Sequence, residues 1–507
     1  MLFNSYIFVF IFLPVCIIGY FTINRTGKYR LGHAFLLGMS LWFYGYFNPS
    51  YLLIIVASVC INYLFYLWMN EQQKATMLEA VTENYELEMV ASSTIGRLKK
   101  CKPVMILGVA INLGIIFYFK YMDFFIENVN AITGADWPLL HILLPLGISF
   151  FTFQQISFIV DTYRGEVPEY DFLTYACYVT FFPQLVAGPI VTHDELIPQL
   201  MDSSKKTINW DNIARGFYIF AIGMAKKVLL ADVFGVAVNW GYENVAELQA
   251  TNAILIAVGY CFQLYFDFSG YCDMAIGLGK MLNIDLPVNF NSPYKAVTIT
   301  DFWNRWHMTL SRFFTRYVYI PLGGSRRGNV RTYVNLFIVF LLSGFWHGAA
   351  WTFVLWSVLN GIFCIITRMF KKFFDELHPA LGWMITQGFF TLSVVFFRAN
   401  TIGDAISLIK QILYVDFTPI DVHILEAFKI PGLNYFWDGT ALTHSLPFIY
   451  VAVFYYLALF IVLGCRNSVE KMKSFVPNVK NMLWAAVLLA WSIASLSGIS
   501  TFLYFNF

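Results

Sequence analysis

YVNLFIVFLLSGFWHGAAWTFVLWSVLNGIFCIIT, residues 333–367, is the stretch that decides the fold. It contains no formally charged residue and carries His347 near its middle. As one helix it would be about 50 Å long, whereas the hydrocarbon core of a bilayer is ~30 Å thick. We therefore predict two hydrophobic helices that meet near residues 343–348. An imidazole at that depth either serves a function or is hydrogen-bonded within the bundle, and spacing alone leaves both interpretations open.

The composition is that of a polytopic membrane protein. Hydrophobic residues make up 58% of the 507 and charged residues 13%, against roughly 25% charged residues in soluble domains. The net charge of +2 and the lack of a basic block give no reason to expect a nucleic-acid partner. The eight cysteines form no CxxC pair, which supports neither a disulfide framework nor a zinc site. The N-terminal apolar segment is predicted to be a retained first helix rather than a signal peptide.

Apolar segments recur along the whole chain. They lie at about 6–22, 33–47, 51–69, 103–119, 138–160, 172–191, 213–238, 251–278, 333–348, 349–367, 381–397, 446–464 and 482–505. The segment at 172–191 is interrupted by proline and glycine and is predicted to be re-entrant. We predict an all-α polytopic membrane protein, one domain over 1–507, with about 11 to 12 transmembrane helices plus re-entrant or interfacial helices.

The distribution of lysine and arginine predicts the orientation. Basic loops occur at 25–30, 97–102, 205–206, 326–331, 368–372 and 466–480, and weakly basic or acidic ones at 120–137, 239–250 and 399–445. This alternation places both termini on the extracytoplasmic side. It also places the charged loop at 70–102, with a short surface helix, in the cytoplasm. The long segment at 399–445 is predicted to form an ordered extracytoplasmic cap.

The region 265–331 carries further residues that could take part in chemistry. Asp267 and Asp273 lie inside an apolar segment, and Asn289 and Asn291 lie in a turn-rich piece. We predict that this region is cytoplasmic or re-entrant and contributes to a catalytic site.

Three arginines follow in the piece DFWNRWHMTLSRFFTRYVYIPLGG. If its middle is one helix, Arg305, Arg312 and Arg316 share a face with Thr309. Such a face suits a phosphorylated ligand reached from the cytoplasm, and contact with lipid headgroups is the alternative.

His307 is a second histidine near the membrane, 40 positions before His347. The spacing matches no zinc pattern, and no metal ligands are expected. A nucleophile–base pair is the stronger interpretation, since an imidazole can take a proton from a hydroxyl that attacks an acyl carbon. No GxSxG motif is present, which argues against a serine-hydrolase mechanism.

The motifs resemble those of the membrane-bound O-acyltransferase family. FWHG (345–348), preceded by RWH (305–307), is similar to the family signature. GISFFTFQQISFIVDTYRG (147–165), FFPQLVAGPI (181–190), YFDFSGYCDMAIGLGKMLNIDLPVNFNSPY (265–294) and YIPLGG (319–324) resemble its bacterial branch. That branch acetylates alginate, peptidoglycan or cellulose, or transfers D-alanine to teichoic acid.

The resemblance implies a fold and a reaction. Helices are expected around a central funnel or tunnel, with His347 and His307 catalytic and the core helices at 333–367 carrying His347. The length and the 399–445 segment look more like the acetyltransferases, which implies acetyl-CoA as donor and no tightly bound cofactor. The acetyl group would pass to an extracytoplasmic esterase-like (SGNH) partner for O-acetylation of a polysaccharide, in a bacterial inner membrane.

The resemblance and the motifs together define the remaining candidate residues. The expected substrate-binding residues are Arg305, Asn304, Trp306, Trp346, Asp267, Asp273, Asn289, Asn291 and Gln154. The final TFLYFNF is either an aromatic anchor at the membrane interface or, as similar tails of relatives imply, a relay in which Tyr504 carries the acyl group. The alternative functions are D-alanyl transfer from a carrier protein to teichoic acid and export of a solute through a pore.

Overall fold

In the computed structural model, every regular element of the described part of the chain is a helix. That part comprises residues 1–82, 87–429, 447–496 and 502–503, with side chains excluded at 75–82 and 87–99. Within it, eight helices are long and apolar enough to cross a membrane, and no strand occurs. These observations confirm an all-α polytopic membrane protein. The higher number of 11 to 12 crossings stays a prediction.

The chain divides into two compact units, the first formed by Met1, residues 10–210 and residues 282–287. Its helices are α1 (Leu13–Arg25), α2 (Tyr29–Gly45), α3 (Ser50–Thr82), α4 (Leu87–Ile116), α5 (Met122–Thr133), α6 (Ile148–Arg164), α7 (Phe172–Thr180), α8 (Phe182–Leu185) and α9 (His193–Met201). The helix α6 is buried along most of its length and packs against α3 and α4. Phe158 of α6 contacts the rings of Tyr66 and Tyr175, which form part of the aromatic core of this unit.

Helices extend into residues 70–102, the stretch predicted to be a charged cytoplasmic loop with a short surface helix, and its cytoplasmic location stays a prediction. Helix α3 continues to Thr82 and α4 begins at Leu87, so both helices extend into this charged stretch. The residues there include many strong helix formers, such as Leu, Ala, Glu, Gln and Lys, and their charges do not interrupt a helix. The segment at 172–191 contains the two short helices α7 and α8, nearly all buried. Its re-entry into the membrane stays a prediction.

The second unit is formed by residues 2–9, 211–281 and 288–507. Its helices are α10 (Trp210–Ala225, whose first residue belongs to the first unit), α11 (Asp232–Glu243), α12 (Ala250–Met281), α13 (Ile299–Arg305), α14 (Met308–Phe314), α15 (Gly328–His347), α16 (Trp351–Met369), α17 (Lys371–Glu376), α18 (Pro379–Arg398), α19 (Ile402–Leu413), α20 (Val422–Ala427), α21 (Pro447–Leu459), α22 (Ser468–Lys473) and α23 (Val479–Ala494). Short π-helical turns follow α10, α14 and α21.

Helix α12 is the central element of the second unit. It packs against α11, α18 and α19, and 83% of the residues in its most apolar 18-residue stretch are buried. Glycine makes its close approach to α10 possible, because a Cβ at Gly270 would lie 2.8 Å from the carbonyl oxygen of Gly223. A helix buried on all sides must place its polar groups against partners, and Asp267 and Asp273 of α12 do so.

The segment at 399–445 contains two helices in its described part. Thr401 caps α19 by accepting a hydrogen bond from the backbone N–H of Asp404, and Asp421 caps α20 in the same way from His423. Residues 430–446 lie outside the described residues. That this segment forms a cap on the extracytoplasmic side stays a prediction.

Candidate active site

His347 is the last residue of α15, at the break between α15 and α16. Gly348 leaves the helix with extended backbone, and α16 begins three residues later. A Cβ at Gly344 would lie 2.3 Å from Ser357 Oγ and 2.7 Å from the carbonyl oxygen of Phe353. Only glycine therefore lets the end of α15 pack this closely against α16. The two-helix arrangement agrees with the predicted junction, and it leaves His347 only 5% exposed.

His307 lies at a second break, between α13 and α14. Its φ of 46° is in the left-handed region, which residues other than glycine seldom adopt. Asn289 holds this backbone in two ways. Its carbonyl oxygen accepts a hydrogen bond from the N–H of Met308 at 3.0 Å, and its Oδ1 accepts one from Thr309 Oγ1 at 2.7 Å. The resulting turn buries the His307 side chain, which is 2% exposed.

This break makes the prediction of one arginine-bearing helix wrong. Arg305 ends α13, whereas Arg312 lies in α14 and Arg316 in the turn after it. Arg305 instead donates from Nε to Asp301 Oδ1 at 2.8 Å, one helical turn earlier. The hydrogen bonds that Asn289 accepts stabilise the break. Helical periodicity cannot predict them, because Asn289 lies outside the helices.

Aromatic rings enclose both imidazoles. The Trp346 ring centroid lies 4.9 Å from that of His347 and 5.8 Å from that of His307. Trp356 and Phe397 meet the His347 ring edge-on at 5.3 Å and 5.0 Å. Burial lowers the pKa of His307 to about 3, because the charged form loses its hydration. The His307 imidazole is therefore neutral at pH 7, with one ring nitrogen that donates and one that accepts.

Both histidines line a single cavity of about 820 Å³. Its volume falls in the range of small-molecule sites. Two other predicted site residues, Asn304 and Trp306, line it as well. The lining also includes four charged residues, namely Asp301, Arg368, Lys371 and Asp375. Lys371 pairs with Asp375, and Asp301 pairs with Arg305, so most of this charge is balanced.

Two tryptophans of the cavity add hydrogen-bond donors to the site. Sequence reasoning identified neither Trp303 nor Trp356 as a site residue. Within the described residues, neither indole nitrogen has a hydrogen-bond partner. Buried N–H groups are nearly always paired, so these two are available to an acceptor inside the cavity. No sequence pattern separates Trp356 from the other apolar residues of α16.

The predicted carboxylates of α12 form ion pairs instead of lining the cavity. Asp273 accepts from Lys226 Nζ at 2.6 Å, and Asp267 accepts from Lys227 Nζ at the same distance. All four side chains are at most 12% exposed. The two adjacent lysines in an apolar segment were a signal that could have identified these pairs, since charges inside a membrane protein are normally paired.

The other predicted site residues have packing or hydrogen-bonding roles where the structure describes them. Trp346 packs between the two histidines. Asn291 Oδ1 accepts from Asn467 Nδ2 at 3.0 Å, and Asn289 supports the turn at His307. Gln154 belongs to the first unit, where its amide nitrogen lies 3.4 Å from the carbonyl oxygen of Val191. Tyr504 lies outside the described residues.

Two imidazoles line one cavity inside a bundle of apolar helices, and an imidazole can accept a proton from a hydroxyl that attacks an acyl carbon. The chain belongs to the membrane-bound O-acyltransferase family and is an O-acyltransferase. The family profile matches residues 162–402, which contain both histidines.

Relatives of known name resemble the chain over most of its length. A peptidoglycan O-acetyltransferase of Helicobacter pylori is 38% identical, with 100% of this chain and 98% of that protein aligned. A probable alginate O-acetylase, AlgI, of Pseudomonas putida is 37% identical over 76% of this chain and 77% of its own length. A teichoic acid D-alanyltransferase of Bacillus subtilis is 26% identical over 49% of this chain and 64% of its own length.

Proposed function

We propose that this protein takes acetyl groups from cytoplasmic acetyl-CoA and passes them across a bacterial inner membrane for O-acetylation of an extracytoplasmic polysaccharide. The observation that carries the proposal is the placement of His307 and His347 on one cavity within an O-acyltransferase fold. Full-length similarity to a peptidoglycan O-acetyltransferase supports acetyl as the transferred group.

In the proposed reaction His347 is the general base. An attacking hydroxyl oxygen forms a bond to the thioester carbonyl carbon as the carbon–sulfur bond breaks. The hydroxyl proton moves to His347 and then to the departing thiolate, which leaves as free CoA thiol. The aromatic shell keeps water away from the imidazole, which limits hydrolysis of the thioester.

His307 and the cavity indoles suit the stabilisation of charge. The neutral His307 ring can donate a hydrogen bond to the oxyanion that develops on the thioester oxygen. Trp303 and Trp356 supply further N–H donors at the cavity wall. Such donors act strongly in a site that excludes bulk water.

The attacking hydroxyl belongs either to Tyr504 or to the acceptor. In the relay version, Tyr504 receives the acetyl group as a phenyl ester and passes it to the outer side. An esterase-like partner of the SGNH type would then transfer it to the polymer. Both termini are extracytoplasmic in this proposal, which follows from the positive-inside pattern of the loops.

Peptidoglycan is the acceptor class that we favour. The peptidoglycan O-acetyltransferase of H. pylori aligns along the whole chain, whereas the AlgI of P. putida aligns with 76% of it. Alginate and cellulose are the other polymers of the same reaction class. D-alanyl transfer to teichoic acid has weaker support, because that relative aligns with 49% of the chain.

The test is transfer of labelled acetyl groups by the purified protein in liposomes. Radiolabelled acetyl-CoA should yield free CoA in the wild type. In His347→Ala both thiol release in liposomes and polysaccharide acetylation in intact cells should fall, roughly 10²–10⁴-fold for loss of a general base. His423→Ala is the matched control, because His423 is exposed and stacks on Trp240.

Wild-type acetylation in the His347→Ala protein would contradict the proposal. A solute exporter predicts no histidine-dependent thiol release in either protein. Consumption of a D-alanyl carrier-protein thioester, with acetyl-CoA untouched, would favour the teichoic-acid reaction instead.

A further inference from the structure

Two ion pairs are buried side by side in the second unit, and they have different neighbours. Lys226 and Asp273 share the hydroxyl of Ser468, which contacts both side chains. Lys227 contacts Asp267 and also Asp232, at 2.6 Å and 2.7 Å. Burial of charged groups is costly, so a pair at this depth is expected to serve a purpose beyond stability.

The second pair binds the described part of the C-terminal tail. Asp267 Oδ2 accepts a hydrogen bond from the backbone N–H of Leu503 at 3.0 Å. Lys227 Nζ lies 4.8 Å from the centroid of the Phe502 ring, within the range of a cation–π interaction. Phe502 also meets Tyr271 of α12 edge-on at 4.7 Å and is 1% exposed. The ammonium group of Lys227, the carboxylate of Asp267 and the ring of Tyr271 thus hold two consecutive tail residues.

The N-terminal segment completes this arrangement. The Phe3 ring stacks on Tyr271 at 4.8 Å. The hydroxyl of Tyr6 lies 3.2 Å and 3.3 Å from the carbonyl oxygens of Ile493 and Leu496. The contacts of Tyr6 fix the end of α23, where the tail begins. The chain is therefore held at Ile493 and Leu496, and again at Phe502 and Leu503.

Asp267, which accepts the hydrogen bond from Leu503, is adjacent in sequence to a residue that contacts His307. Leu503 itself packs against the large hydrophobic cluster of the second unit, which also includes Phe268. Phe268 follows Asp267 in α12, and its ring centroid lies 4.8 Å from that of His307.

We propose that the Lys227–Asp267 pair is an intramolecular binding site for Phe502 and Leu503 of the C-terminal tail, and that efficient acetyl transfer at the two-histidine cavity requires these two residues to be bound. Asp267 and Lys227 are then positioning residues, whereas His347 does the chemistry. The effect on catalysis rests on the proposed function, and the tail-binding part stands without it.

Carboxypeptidase digestion of the purified full-length protein, followed by mass spectrometry, tests the binding directly. In the wild type, digestion should stop before Leu503, because Phe502 and Leu503 are bound. In Asp267→Ala it should continue past Phe502. Acetyl transfer should fall roughly tenfold to hundredfold in kcat, the range expected for a misplaced reacting group, with KM for acetyl-CoA unchanged.

Two further variants separate tail binding from folding. Asp232→Asn removes the other carboxylate on Lys227 and keeps the bond from Leu503 to Asp267, so its digestion should stop where the wild type stops. Phe502→Ala removes the tail's own ring and leaves both helical charges paired. It should release the tail even if Asp267→Ala fails to fold.

The outcomes distinguish this proposal from the proposed function. An unchanged digestion stop in both Asp267→Ala and Phe502→Ala would overturn the binding site. A released tail with wild-type transfer would overturn the positioning role. Neither result would affect the His347-dependent reaction, which fails only if His347→Ala keeps wild-type acetylation.

Discussion

At the scale of single residues, the two histidines have similar burial but different backbone support. His347 ends a helix whose glycines allow close packing, whereas His307 occupies a left-handed conformation, which only a few per cent of non-glycine residues adopt. Backbone strain of this kind persists only where the surroundings hold it, and it is concentrated at functional sites. The strain at His307 therefore supports a role for this residue in the reaction.

Tyr504→Phe should separate the relay from the membrane anchor. The change removes the phenolic hydroxyl and keeps the aromatic ring. If Tyr504 carries the acyl group, acetyl transfer to the polymer should fall roughly 10²–10⁴-fold, because no other nucleophile replaces it. The measurement is polymer acetylation in liposomes together with a search for acetyl-tyrosine in the C-terminal peptide.

The control for this variant is its neighbour in sequence, Phe505→Leu. This change alters an aromatic side chain of the same tail without removing a hydroxyl. Near-normal transfer by Tyr504→Phe would contradict the relay and support the anchor interpretation. The attacking hydroxyl would then belong to the acceptor.

At the scale of elements, the breaks between helices matter more than the helices themselves. Each histidine lies where a helix ends, and each break depends on a residue with a special backbone or a special hydrogen bond. Asn289 is such a residue at the second break, since it is fully buried and bonds to both Met308 and Thr309.

Asn289→Ala should destabilise the protein and displace His307. The change leaves the hydroxyl of Thr309 and its backbone N–H without the Oδ1 acceptor, which costs about 1–3 kcal/mol for buried groups. Thermal unfolding in detergent should show a lower midpoint, and kcat for acetyl transfer should fall.

The matched control is Asn478, which is exposed. Like Asn289, its side chain accepts a hydrogen bond from a backbone N–H at the start of a helix, here from Asn481 of α23. Asn478→Ala should lower the unfolding midpoint by a similar or smaller amount and leave kcat unchanged. Equal loss of kcat in both variants would show that activity follows stability rather than the position of His307.

At the scale of the whole molecule, the apolar helices determine that the chain spans a membrane, and the loops determine its direction. Eight candidate spans lie in the described residues. The lysine and arginine pattern predicts that residues 326–331 face the cytoplasm and that residues 399–445 face outward.

Cysteine labelling tests this orientation in intact cells. In a background without Cys60 and Cys465, which are partly exposed, Ser325→Cys and Gly403→Cys introduce thiols at exposed positions. A membrane-impermeant maleimide should label position 403 in intact cells and position 325 only after permeabilisation. The reverse pattern would invert the predicted topology.

Much of the fold and part of the site could be predicted from sequence. Membrane insertion and the division of residues 333–367 into two helices follow from the length and apolarity of the segments. Both histidines were singled out by motif, and the structure places them on one cavity with Asn304 and Trp306. The ends of α3 and α4 could not be predicted from charge, because both helices extend into the charged stretch at 70–102.

By itself, the sequence determined that the chain spans a membrane as helices and that His347 lies at a helix junction, because hydrophobic length and glycine positions are local properties. Only the tertiary structure decided the break at His307 and the pairing of Asp267 with Lys227. The partners in these contacts are 20 and 40 residues apart. Local periodicity cannot identify them, because which partner a buried polar group finds depends on how the helices pack.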